Sequence, residues 1–125
     1  MVRALLALIP LLVMTGPAGA QVAQPPTVTI TEANFSITPG VIHLVAGQPV
    51  RMVFTNVSGS SHDFSAPAFF GRARILGGMS ERGEVDLPGH GQAIVTLVPE
   101  KGVYRAHCTH IGHTMMGMKA TIVVD

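Results

Sequence analysis

The chain has 125 residues, of which 47% are hydrophobic and only 12% charged, with one cysteine and no tryptophan. That apolar share supplies the core of one domain and excludes a disordered chain. Eight Lys and Arg against seven Asp and Glu give a formal net charge of +1, without the clustered basic face that nucleic acid requires, and the single Cys108 excludes an internal disulfide.

Residues 1–20 join Arg3, an apolar run from Ala4 to Met14 interrupted by Pro10, and the small-residue ending Ala18-Gly19-Ala20. These are the three parts of a secretory signal peptide cleaved after Ala20. The run is shorter than the roughly 20 apolar residues that span a bilayer, so no membrane span is expected after cleavage. Loss of Arg3 leaves a formally neutral mature chain in the periplasm or outside the cell. A lone thiol in such an oxidising location is exposed to oxidation unless something, such as a bound metal, protects it.

Residues 21–26 read as a linker and 27–125 as one domain. Residues 27–31 are rich in β-branched side chains, 41–45 follow Pro39-Gly40, and 50–56 alternate apolar with polar up to the turn at 58–61. Residues 92–98, 102–108 and 120–124 complete the predicted strands, nearly all of them separated by Gly or Pro. Residues 66–84 are irregular, with a helical turn expected over 69–76. The absence of a 3.6-residue period elsewhere predicts an all-β, single-domain Greek-key sandwich or barrel of antiparallel strands.

The chemistry lies in His107-Cys108-Thr109-His110-Ile111-Gly112-His113-Thr114-Met115-Met116-Gly117-Met118. A soft thiolate, imidazoles and thioethers together select copper, and two His with one Cys and a weak axial Met form an electron-transfer site. The loop supplies Cys, one His and one Met in that arrangement, so the second His comes from elsewhere, and His62 after the Ser58 to Ser61 turn is the candidate. His107 alternates away from Tyr104, Ala106 and Cys108 and is expected on the outer face. His43 and His90 receive no role.

These segments resemble the cupredoxins, the small blue-copper family. Cys108-x₄-His113-x₄-Met118 is similar to the rusticyanin and auracyanin spacing, and Met116 to Val124 is similar to the end of pseudoazurins. Phe54-Thr55-Asn56 followed by His62-Asp63-Phe64 resembles the family's upstream segment, with Asp63 where relatives usually carry Asn. The resemblance implies His62, Cys108, His113 and Met118 as ligands of one copper ion per chain, and an Asp63 backbone N–H donating to the Cys108 sulfur. A shorter register, Cys108-x-His110 with Met115, also fits; counting back from the terminal strand favours His113 and Met118. The implied function is a one-electron carrier, a monomer that meets redox partner proteins through a small apolar patch of Ile111, Met115 and Met116 near His113. The alternative is a copper-handling or copper-tolerance protein, because His110, Met115 and Met116 enrich the loop in copper donors. An enzyme is not expected: the stretch also resembles a multicopper-oxidase motif, but six His without a His-x-His pair cannot build the additional trinuclear cluster.

Overall fold

Alternation in the sequence becomes two facing sheets. The structure, a computed structural model, describes residues 11–78 and 80–125. Its strands are β1 (Thr27–Ala33), β2 (Ser36–Thr38), β3 (Val41–Leu44), β4 (Val50–Asn56), β5 (His62–Ser65), β6 (Arg74–Gly77), β7 (Glu84–Leu87), β8 (Gln92–Val98), β9 (Gly102–His107) and β10 (Lys119–Val124), with one short helix, α1 (Pro67–Arg72). One sheet has the order β2-β1-β4-β8-β6 and the other β3-β10-β9-β5-β7. The all-β sandwich expected from the sequence is therefore present. The sheets are mixed rather than purely antiparallel, because β1 pairs with β4 and β3 with β10 in parallel. The chain reaches these parallel neighbours by crossing between sheets, with β3 lying in one sheet and β4 in the other.

The interior is apolar where the two sheets meet. Ile30, Met52, Phe54, Val95 and Leu97 from one sheet face Phe64, Leu87, Tyr104 and Ile122 from the other, all buried. Phe54 and Phe64 pack across the gap with ring centroids 4.9 Å apart. Pro67 in the first turn pre-sets the helical backbone of α1, which turns Phe69 and Phe70 into the core. The helix stops at Arg72 and the chain re-enters a sheet as β6, so the helical turn expected over 69–76 lies earlier than its sequence reading.

Of the expected leader, residues 1–10 lie outside the described residues, and residues 11–20 are exposed and without regular structure. No helix among the described residues is long and apolar enough to cross a membrane.

Two strand registers position the site. The β9–β10 pair matches His107 with Lys119, so the next step outward sets Cys108 level with Met118, and the Cys108 N–H donates to the Met118 carbonyl at 3.0 Å. The β5–β9 pairing at Ser65 and His107 runs antiparallel, which carries Asp63 toward Thr109 and His62 toward the loop beyond it.

Candidate metal centre

Cys108 follows the end of β9 on the inward face already occupied by Tyr104 and Ala106, and its side chain is fully buried. His62 opens β5 and is 2% exposed. His113 sits in the turn between β9 and β10, half-buried, with its N–H donating to the His110 carbonyl and its carbonyl accepting from the Met118 N–H at 3.0 Å. Three donor atoms converge: Cys108 Sγ lies 3.4 Å from His113 Nδ1 and 4.0 Å from His62 Nδ1, and the two Nδ1 atoms are 3.3 Å apart. Nitrogen at about 2.0 Å and sulfur at about 2.3 Å from one ion, spread about 120° apart, would stand about 3.5 and 3.7 Å from each other. The observed triangle therefore fits a metal held by all three, and its soft sulfur with two imidazoles is a copper donor set.

Met118 is fully buried and directly across the ladder from Cys108, so both side chains point to the same inner face. Met115 is 94% exposed, and the rival register through it places its thioether outside. His110 is also exposed; its ring stacks on that of His113 with centroids 5.4 Å apart and planes at 19°. His107, half-buried, stands on the face opposite Cys108 as its alternation requires.

The surroundings hold these groups in place. His62 presents Nδ1 to the cluster, so Nε2 carries the proton and donates to Ser58 Oγ at 2.9 Å, with Asn34 Oδ1 at 3.3 Å. The Ser58 hydroxyl in turn donates to Asn56 Oδ1 at 2.8 Å, and Asn56 Nδ2 donates to the carbonyls of Ser60, Leu87 and Pro88. The His62 ring is thereby tied to the turn before β5 and to the end of β7. Burial pushes the His62 pKa below its usual value, and the imidazoles of His113 and His110 push it further; Asp63 acts against them. A neutral imidazole is the form that binds metal.

Asp63 locks the other side of the loop. Its carboxylate accepts the Thr109 N–H at 2.7 Å and the Thr109 hydroxyl. Burial raises the Cys108 thiol pKa, and the nearby backbone amides of Asp63 and His110 act against that shift. The Thr114 hydroxyl closes the loop by donating to the Cys108 carbonyl at 2.8 Å.

Sequence reasoning missed Asn34, Phe35 and Glu32 near the site. Asn34 reaches His62, and Phe35 stands edge-on to His113 at 6.1 Å. Gly117, at φ +110°, is required where a Cβ would come within 2.9 Å of the Phe35 carbonyl. Glu32 is fully buried at the end of β1, with neither carboxyl oxygen hydrogen-bonded among the described residues. Burial, with a smaller contribution from Asp63, raises its pKa to about 8. Val28, Ile30 and Glu32 share one face of β1, so an acid continuing an apolar row was the available signal.

A two-sheet β-sandwich with a His–Cys–His cluster at one end defines the cupredoxin class. The chain belongs to the cupredoxin-like domain family, whose model matches residues 4–124. Auracyanin A, a "blue" copper protein from the bacterium Chloroflexus aurantiacus, has the same fold, with a TM-score of 0.59 and 20% identity over 82% of this chain and 100% of that one. Reduced auracyanin from Roseiflexus castenholzii gives a TM-score of 0.61 and 17% identity over 82% of this chain and 99% of that one. A multicopper oxidase from Campylobacter jejuni shares the fold over 83% of this chain but only 31% of its own, with a TM-score of 0.64 and 12% identity. No curated protein sequence matches the chain.

Proposed function

We propose that this protein is an exported, monomeric one-electron carrier with one type 1 copper ion per chain. His62 and His113, through Nδ1, Cys108 through Sγ, and Met118 would hold it. The convergence of the three donors within 3.3–4.0 Å of one another carries this reading. Copper at such a site supplies one-electron cycling between Cu(I) and Cu(II).

The chain's own residues keep that cycling free of rearrangement. Ser58 and Asn56 hold the His62 ring, Asp63 and Thr109 hold the Cys108 loop, and the cross-strand pairing fixes Met118 against Cys108. The buried sulfur is shielded from water. Ile111, Met115 and Met116 are exposed around His113, and Phe35, 47% exposed, extends the same apolar patch. A neutral mature chain has little charge to steer its partners, so docking on this patch is weak and brief, as suits a shuttle. Secretion by cleavage after Ala20 places the carrier in the periplasm or outside the cell.

The test is copper content together with voltammetry of the purified mature protein. One copper per chain with a reversible one-electron wave is expected. Several Cu(I) ions per chain, passed to an acceptor without a reversible wave, would establish the copper-handling alternative that the exposed His110, Met115 and Met116 favour.

A further inference from the structure

Burial of His62 and Cys108 closes the inner side of the cluster, so an ion from solvent must come from the loop side. There a second triad uses the same sulfur. An Asp63 carboxylate oxygen, Cys108 Sγ and a His110 ring nitrogen all lie within 4.8 Å of one another. The triad runs from outside to inside, since the His110 side chain is 42% exposed and that of Asp63 only 5%.

The His110–Asp63 edge of this triad is short enough for one metal ion to bridge. Two donors each about 2.1 Å from one ion stand at most about 4.2 Å apart, and His110 Nε2 lies 3.9 Å from Asp63 Oδ2. Both Asp63 oxygens accept a hydrogen bond from Thr109, which fixes the carboxylate and still leaves lone pairs on each. A carboxylate also attracts a divalent cation more strongly than a neutral imidazole does. Stacking of His110 on His113 puts the two imidazoles side by side, on the short path between the two triads.

The geometry points to a transient copper-loading site made by His110, Asp63 and Cys108, from which the ion passes to His62 and His113 without leaving the sulfur. This inference rests on the copper reading above. On loading, the Cys108 thiol proton goes to solvent as the copper–sulfur bond forms. In the transfer, His110 and the Asp63 oxygen are exchanged for the two other imidazoles; the sulfur bond is kept and copper does not change oxidation state. His110 thus takes part in uptake and is dispensable in the resting site.

The test is stopped-flow mixing of the copper-free mature protein with Cu(II), following growth of the visible thiolate-to-copper band. His110→Ala should reach the same final band, with uptake at low copper slowed about tenfold, the scale on which local charge and donors alter association rates. Because the final affinity is unchanged, removal of copper by a soluble chelator should slow by the same factor; mere loosening of the loop would speed removal instead. Asp63→Asn should also slow uptake. Unchanged uptake in His110→Ala overturns the loading site, as does faster removal. Loss of the final band in His110→Ala makes His110 a resting ligand and overturns it too. Absence of any band in the unaltered protein removes the copper reading itself, and the loading site with it.

Discussion

Glu32→Gln tests how the fold tolerates an acid in its core. An ordinary glutamate loses its proton near 4.5, whereas the Glu32 carboxyl, desolvated on the inner face of β1, keeps it to about 8. A raised acid stabilises the folded state only while the unfolded chain is also protonated. Its contribution is therefore intact below pH 4.5 and lost progressively as pH rises to about 8, where the folded form ionises as well. At about 1.4 kcal/mol per unit of separation, the whole interval costs about 5 kcal/mol of folding stability, comparable with the total stability of many small domains. Glutamine has the same shape and no charge, so the variant should not show this loss. Urea denaturation of both copper-free proteins at intervals from pH 5 to 9 reads it directly. The stability of Glu32→Gln relative to the unaltered protein should climb by about 4 to 5 kcal/mol across that range and flatten above pH 8. His62, whose pKa is lowered by burial, costs stability as pH falls below its ordinary 6.5, but equally in both proteins, so it cancels in the difference. A difference that stays flat from pH 5 to 9 would show that Glu32 is solvated or partnered in solution and would refute the reasoning.

The proposed ligand set makes two further expectations. His113→Ala should abolish the visible band of the Cu(II) protein while His110→Ala leaves its final intensity nearly intact; absorption spectra of the two variants check this, and the reverse pattern would shift the site to the shorter register. Met118→Leu should keep copper and colour and raise the reduction potential measured by voltammetry, because removing a weak thioether donor disfavours Cu(II) more than Cu(I). Leu for Met conserves volume, so the stability cost should stay below about 1.5 kcal/mol. A potential unmoved by Met118→Leu but shifted by Met115→Leu would make Met118 a core filler.

How far the sequence disclosed the site depends on how local each signal is. Cys108, His113 and Met118 lie within eleven residues, and their chemistry and spacing are legible because the loop that holds them is short and closed by one antiparallel ladder. His62 was legible only as the His after a turn, and its partner Ser58 lies in that same turn. The strands β5, β6 and β7 were not legible as such. All four residues of β5 are buried and all four of β6 are exposed, so neither shows the alternation that marks a strand with one face in water. Strand β2 is only three residues long and follows Phe35 at positive φ, a conformation its sequence does not announce. Parallel pairing of β1 with β4 and of β3 with β10 leaves the same alternation in each strand as antiparallel pairing, so pattern alone could not separate them. Glu32 was overlooked for the opposite reason: its alternation was visible, but an acid is read as outward-facing unless the buried row of Val28 and Ile30 is followed one step further.

The central claim is that the buried Cys108 thiolate binds copper together with His62 and His113. An absorption spectrum of the Cu(II)-loaded protein beside that of Cys108→Ser tests it most directly. An intense blue or green band in the unaltered protein that disappears in Cys108→Ser is expected, because thiolate-to-copper charge transfer requires the copper–sulfur bond. The same band retained in Cys108→Ser, or only a weak band in the unaltered protein, would contradict it.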